Sequence, residues 1–195
     1  MSNKETNDVV LWNAFKLGDE EAFAEIYEDH YPALYAYGKK FMADATSAED
    51  SIQELFVNLW RTKANLSEVT NIKFYLFRCL RRNIYKQQQK EEKVGQASFE
   101  VLLDLDSQHW DEPVFDERIL TEKIKTLLQS LPERQLEAIT LRYYENFSNR
   151  EIAEIMNISE KTVRNTLYNA LVQLRESLRL LNPYMHPLLL LSMIL

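Results

Sequence analysis

Glycine and cysteine are nearly missing from this 195-residue chain, which holds only Gly18, Gly38, Gly95 and Cys79 of the two types. With so few glycines and five scattered prolines, a strand-rich fold with many tight turns is excluded, and helix is expected to dominate. A single cysteine rules out an internal disulfide. No basic, apolar signal stretch opens the sequence, and no apolar run approaches the roughly 20 residues of a spanning helix. A cytoplasmic protein without a membrane span is therefore expected. His30, His109 and His186 lie far apart, no glycine-rich phosphate loop is present, and no nucleophile has an evident base. These absences argue against an enzyme and against a bound metal or cofactor.

Net positive charge is lacking too, at −7 overall, which looks wrong for a chain that binds a phosphate backbone. The distribution resolves this. Seven acidic residues (Glu100, Asp104, Asp106, Asp111, Glu112, Asp116, Glu117) and no basic one fall between Ala97 and Glu117, and the rest of the chain carries 23 acidic and 23 basic residues. Arg78, Arg81, Arg82, Lys86, Lys90 and Lys93 cluster against only Glu91 and Glu92. A nearly neutral DNA binder is expected to bind weakly alone and to depend on a larger partner.

The most informative stretch is Ser148 to Arg175, read as two short helices joined by a tight turn. Ser148 and Glu151 can each satisfy a free amide of the first turn, and Ile152, Ala153 and Met156 then share one face. Asn157 takes the left-handed position where glycine is usual. Ser159 caps the next helix, which buries Val163, Leu167, Ala170, Leu171 and Leu174. Glu160, Lys161, Thr162, Arg164, Asn165 and Tyr168 are left outward, with a length and chemistry that reach base edges in a major groove. An amphipathic hairpin in an ordinary bundle accounts for any one of these features. The combination of Ala153, the turn at Asn157 and buried Val163 favours a helix-turn-helix.

The chain in order reads as an all-α protein of two small helical domains joined by an acidic linker. An N-terminal helix (1–18, helical from Asp8 to Lys16) packs on the helices after it and stops at Gly18. The first domain, 19–93, is a helical bundle. Asp19 caps its first helix, which Pro32 interrupts or kinks, and Ser47 is expected to cap the next. In that next helix Ile52, Leu55, Phe56, Leu59 and Trp60 form the apolar stripe, opposite Glu49, Asp50, Gln53, Glu54, Asn58 and Arg61. On spacing alone that polar face is simply solvated. Asn71 caps a helix from about Ile72 to Lys93 that mixes aromatics with arginines, either stacking platforms for a separated strand or a buried face with snorkelling arginines. The acidic linker is 94–116. The second domain, 117–181, has four helices; Pro132 is placed in the first turn of LPERQLEAITLRYYE. The tail, 182–195, contains the apolar run after Pro187, which either folds back on the protein or docks on a partner.

With those residues in view, the chain resembles the extracytoplasmic-function class of bacterial sigma factors in the sigma-70 family. GDEEAFAEIYEDHYPALYAY resembles the first helices of that class, Glu49-Asp50-Ser51-Ile52-Gln53-Glu54-Leu55-Phe56 its ED-x-x-Q-E-x-F helix, and LPERQLEAITLRYYENFSNREIAEIMNISEKTVRNTL its upstream-promoter reader. The resemblance implies a subunit that binds core RNA polymerase, with Asp50, Gln53, Glu54 and Phe56 on the clamp helices of the largest subunit and a further contact on the flap. It implies that Asn71, Lys73, Arg78, Arg81, Arg82 and Lys86, with the preceding loop, engage and melt the minus-ten element and capture a flipped base. Arg150, Ser159, Glu160, Lys161, Thr162, Arg164, Asn165 and Tyr168 would read the minus-thirty-five element. An anti-sigma factor or recruiting protein is a further expected partner, with 187–195 its docking segment.

Three departures stand out, in the melting helix, in the recognition helix and in the apolar tail after Asn182, which is not part of the family core. The Asn of an Arg-Asn pair common in the melting helix falls on Arg82, with Asn83 one later. Thr166 and Tyr168 also stand where arginines are common. A conventional helix-turn-helix regulator of the response-regulator output type is the alternative. It shares the C-terminal pattern, but its receiver needs alternating strands that the N-terminal half does not show.

Overall fold

The computed structural model describes residues 3–94 and 124–181, and the chain divides into two compact units, one in each half. Among the described residues every regular element is helical. The linker beyond Val94 and the tail 182–195 lie outside the described residues.

The first unit comprises α1 (Asn3–Lys16), α2 (Glu20–Phe41), α3 (Ala45–Thr62) with a following 3-10 turn (Lys63–Asn65), and α4 (Ile72–Val94). Its helix starts are fixed by side chains that take up free amides. The Asp19 carboxylate accepts from the amides of Glu21 and Ala22 at 2.9 and 3.0 Å, just after Gly18 reverses the chain at φ +97°. The Asn71 side chain accepts from the Phe74 amide at 2.9 Å.

The third start differs from the expectation, because Asp44 rather than Ser47 is the cap. Asp44 accepts the Ser47 amide at 2.7 Å and the Ser47 hydroxyl at 3.1 Å, so the helix opens at Ala45 and Ser47 lies inside its first turn. Those hydrogen bonds, the amide bond first, hold the Asp44 carboxyl below its ordinary range. Pro32 does not interrupt α2. Pro32 and Glu28, whose carbonyl loses the amide it would have bonded, are both exposed, so the gap faces solvent.

Aromatic rings make the core of this unit. Trp12 and Phe15 of α1 are fully buried. Phe15 stacks on Phe23 at 5.6 Å between centroids, and Phe23 meets Trp60 at 5.0 Å and Phe56 at 6.0 Å. Tyr37 joins Phe77 of α4 at 5.3 Å. Each buried ring is worth roughly 1.5–3 kcal/mol over leaving it exposed, so α1 is bound into the same core as α2 to α4. Where α2 crosses α3, a Cβ on Gly38 would stand 3.1 Å from the Cβ of Ala48. The helices therefore approach as closely as side chains allow at that point.

The second unit comprises α5, over residues 124–129, then α6 (Glu133–Ile139) running into a π turn (Thr140–Tyr144), α7 (Asn149–Met156) and α8 (Glu160–Leu181). Pro132 stands at the N-cap of α6 rather than inside its first turn, and its carbonyl accepts from the amides of Gln135 and Leu136. The stretch expected as one ordinary helix widens in its last turn. There the Glu145 amide reaches the Thr140 carbonyl at 3.1 Å, five residues back. Asn146, at φ 60°, then turns the chain, and Arg142 donates to the Phe147 carbonyl at 3.0 Å.

Candidate nucleic-acid and partner interfaces

The helix-turn-helix is built by local bonds that the sequence dictates. At its start the Ser148 amide and hydroxyl donate to the Glu151 carboxylate at 2.8 and 2.7 Å, and the Glu151 amide donates back to the Ser148 hydroxyl at 3.3 Å. This reciprocal pair fixes the first turn of α7. At its end Asn157 sits at φ 54°, and the Ile158 amide bonds the Ala153 carbonyl at 3.0 Å, closing the helix in the manner of a Schellman motif. Ser159 then accepts the Thr162 amide at 3.1 Å and starts α8. Ile152, Ala153, Val163, Leu167 and Ala170 are buried, which fixes the face that α8 turns outward.

On that face Lys161, Arg164, Asn165 and Tyr168 follow one another at i, i+3, i+4 and i+7 and are all exposed. Tyr168 is the most open of them, at 69%. Arg164 lies 3.6 Å from Glu160 one turn earlier, so its guanidinium is held over the start of the helix and Glu160 is its partner. Ser159 and Thr162, also expected as base readers, share a hydrogen bond between their hydroxyls at 2.8 Å and are occupied in holding the helix start. Arg150, on α7, is exposed.

A second basic face lies on α4. Arg78, Arg81, Arg82 and Tyr85 again keep the i, i+3, i+4, i+7 spacing, and Lys86 continues beside them. Arg78, Arg82, Tyr85 and Lys86 are exposed; Arg81 is half-buried, its guanidinium 5.3 Å from the Tyr85 ring centre. Such a face offers charges for phosphates and one open ring for a base. Lys73 is not part of it. Five residues before Arg78, it points to another side of the helix, with its ammonium 5.7 Å from the Phe77 ring centre.

The opposite face of α4, with Ile72, Leu76, Leu80 and Ile84, is buried, and Tyr75 and Cys79 lie half-buried on the flank between it and the basic row. Tyr75 packs edge-on against Trp12 at 5.0 Å, and burial pushes its phenol up to about 12. Burial likewise pushes the Cys79 thiol up, outweighing its hydrogen bond with Tyr75 and the nearby Arg78 and Arg82 charges. The loop before α4 is anchored from α1: the Asp8 carboxylate accepts the Ile72 amide at 3.0 Å, and the Trp12 indole donates to the Ser67 carbonyl at 2.9 Å. Nothing in the spacing of either residue signals these contacts, which span 64 and 55 residues of sequence.

The outward face of α3 carries Asp50, Gln53 and Glu54, all exposed. Val57 completes their i, i+3, i+4, i+7 row and is 56% exposed, an apolar end to a polar stripe that the helical period alone did not single out. Phe56 is not on this face. It is 3% exposed and packs against Tyr27 at 4.8 Å and Phe23 at 6.0 Å, so its place in the expected contact set is corrected to the core. Among the described residues no group of three or more histidine, cysteine, aspartate or glutamate side chains is placed to hold a metal ion.

Residues 26–94 match the family description Sigma-70 region 2, and residues 121–174 match Sigma-70, region 4. The chain is similar to the ECF RNA polymerase sigma factor SigM of Bacillus subtilis (strain 168), with 26% identity over 151 residues that cover 77% of this chain and 91% of SigM. It is also similar to the ECF RNA polymerase sigma factor SigW of the same organism, with 25% identity over 173 residues, 84% of this chain and 92% of SigW. Among solved structures, the sigma factor RpoE of Bartonella quintana, in complex with the anti-sigma factor NepR, shares its fold. The TM-score is 0.62 at 24% identity, covering 80% of this chain and 96% of that one.

Proposed function

The chain belongs to the sigma-70 family, in the extracytoplasmic-function class of RNA polymerase sigma factors, and we propose from this membership how its surfaces divide the work of transcription initiation. The family consists of initiation factors rather than enzymes, so the task of these surfaces is to bind and position.

Asp50, Gln53 and Glu54 on α3, with Val57 at the end of their row, are the docking face for the clamp helices of the polymerase's largest subunit. A small apolar contact ringed by polar groups is the usual build of such an interface. Arg78, Arg81, Arg82, Tyr85 and Lys86 of α4, with Asn71 at its start, take the minus-ten element, where the loop before α4 captures a base of the separated strand. Lys161, Arg164, Asn165 and Tyr168 read the minus-thirty-five element in the major groove, with Glu160 orienting Arg164 and with Ser159, Thr162 and Arg150 at the helix starts. The second unit also contacts the polymerase flap.

The observation that carries this reading is the presence, on one chain, of two separate basic helical faces, each with an exposed tyrosine, in units that match region 2 and region 4 in order. A conventional regulator has no use for the first of them. The acidic linker, 94–116, threads toward the active-site cleft. RpoE is seen with an anti-sigma factor, and the same class of partner is proposed here, with the apolar segment 187–195 as its docking site. The protein works in the cytoplasm with the polymerase; among the described residues no helix is long and apolar enough to cross a membrane.

Mixing the purified chain with core RNA polymerase and a promoter library tests the proposal. Initiation should concentrate on a shared two-part sequence. A chain that binds duplex tightly alone and starts no transcripts would return the helix-turn-helix to an ordinary regulator.

A further inference from the structure

We propose that α1 is a clip for the strand-capture loop, in which Asp8 and Trp12, one helical turn apart, hold the two ends of the Ser67–Asn71 segment in the shape that receives single-stranded DNA. The inference rests on the proposed minus-ten role of that loop.

The segment from Leu66 to Asn71 is irregular. Its backbone bonds lie at its edges, from the Leu66 amide to the Lys63 carbonyl at 3.3 Å and from the Tyr75 amide to the Asn71 carbonyl at 3.2 Å. Side chains of α1 supply what the loop lacks. Trp12 is fully buried, with the rings of Phe15 and Tyr75 at 5.3 and 5.0 Å, so its indole N–H has a fixed direction. A buried indole needs an acceptor, and the Ser67 carbonyl at 2.9 Å is that acceptor. At the other end the buried Asp8 carboxylate takes the Ile72 amide at 3.0 Å. A negative charge is favourable at a helix start, and the first free amide of α4 is satisfied from outside the helix.

Asn71 holds a different amide, that of Phe74, so the two caps act together rather than in competition. Between the pinned ends Glu68 and Thr70 are exposed. A loop held at both ends has already lost the freedom that binding a flexible strand would otherwise remove, and this preorganisation favours capture. Asp8 and Trp12 are thus positioning residues: they touch no DNA themselves and act through the backbone they hold.

The test uses the full chain bound to core RNA polymerase and measures its affinity for single-stranded oligonucleotides carrying the minus-ten element, matched or altered at one base at a time. Trp12→Phe keeps a ring in the core and removes the donor; Asp8→Ala removes the acceptor, and Asp8→Asn restores one. Trp12→Phe and Asp8→Ala should each weaken capture roughly fivefold, as the loss of one ordinary hydrogen bond implies. They should also blunt discrimination between matched and altered bases, while Asp8→Asn stays near wild type and affinity for core is unchanged. Variants that lose only thermal stability and keep both affinity and base discrimination would overturn the clip, leaving α1 a packing element. If the wild-type complex itself ignores the oligonucleotides, the minus-ten role of the loop falls and the clip with it.

Discussion

Asn157→Ala, a change at an exposed residue of the turn between α7 and α8, should cost the second unit about 1 kcal/mol. The side chain is exposed, so no packing is lost and the effect isolates the backbone. At φ 54° a Cβ crowds the following carbonyl oxygen, a clash worth roughly 1–2 kcal/mol that Asn relieves better than other side chains. Asn157→Val, with branching at Cβ, should lose about 2 kcal/mol or more, and Asn157→Gly should stay near wild type. For a unit of this size each kcal/mol shifts the midpoint by about 4–8 °C. The ordering Gly and Asn, then Ala, then Val should appear in thermal unfolding followed by circular dichroism. Selectivity for the upstream promoter element in the polymerase complex should fall in the same order. The turn sets where Val163, fully buried, seats α8. A valine variant unfolding at the wild-type temperature would refute the reasoning, since it would mean that the 3.0 Å closure from Ile158 to Ala153 does not depend on the left-handed residue between them.

Asp50→Lys combined with Glu54→Lys should weaken core-polymerase binding by about 2 kcal/mol or more in co-purification while the circular dichroism spectrum is unchanged; intact binding would remove α3 from the interface. Arg164→Ala should lose about 1–3 kcal/mol of upstream base discrimination and leave starts on pre-opened bubble templates nearly intact. Phe56→Ala should lower stability by about 3–5 kcal/mol because the ring is buried; reduced polymerase affinity at an unchanged midpoint would return Phe56 to the surface. In alkali the fold should weaken. Burial raises Tyr75 from 10.0 to about 12 and raises Cys79 as well, so the unfolded chain gives up these protons first. Stability is then full below the ordinary thiol value of about 8.5 and falls as pH rises through the ordinary thiol and phenol values toward the folded ones. Denaturant midpoints across that alkaline range should show the fall, flattened in Tyr75→Phe.

What the sequence made legible was local. Caps at Asp19, Asn71, Ser148 and Ser159 act within three residues, so a cap-type side chain at the head of an apolar period was enough to find them. Asn157 was legible for the same reason, because few residues tolerate the left-handed turn. Where two cap-type residues stood three apart, as Asp44 and Ser47 do, local chemistry could not choose, and the earlier one won by reaching the later one's amide. Phe56 was assigned two roles, core by its period and contact by its motif; the period was right. The π turn after Ile139 left no trace, since Thr-Leu-Arg-Tyr-Tyr suits an α-helix as well. Asp8 and Trp12 could not be read as anchors at all, because their partners are backbone groups more than 50 residues away, and backbone groups carry no sequence signature.

Gly38 and Ala48 meet with 3.1 Å between a hypothetical Cβ and a real one. Their combined bulk sets the gap between α2 and α3, and with it the tilt at which α3 presents Asp50 and Glu54. A side chain at Gly38 fits only if Ala48 gives way by a few tenths of an ångström or shrinks, and Gly38 has no side chain left to give up. Homologous chains should therefore vary these two sites as a matched pair, exchanging the small residues across the crossing while the neighbouring rings drift freely.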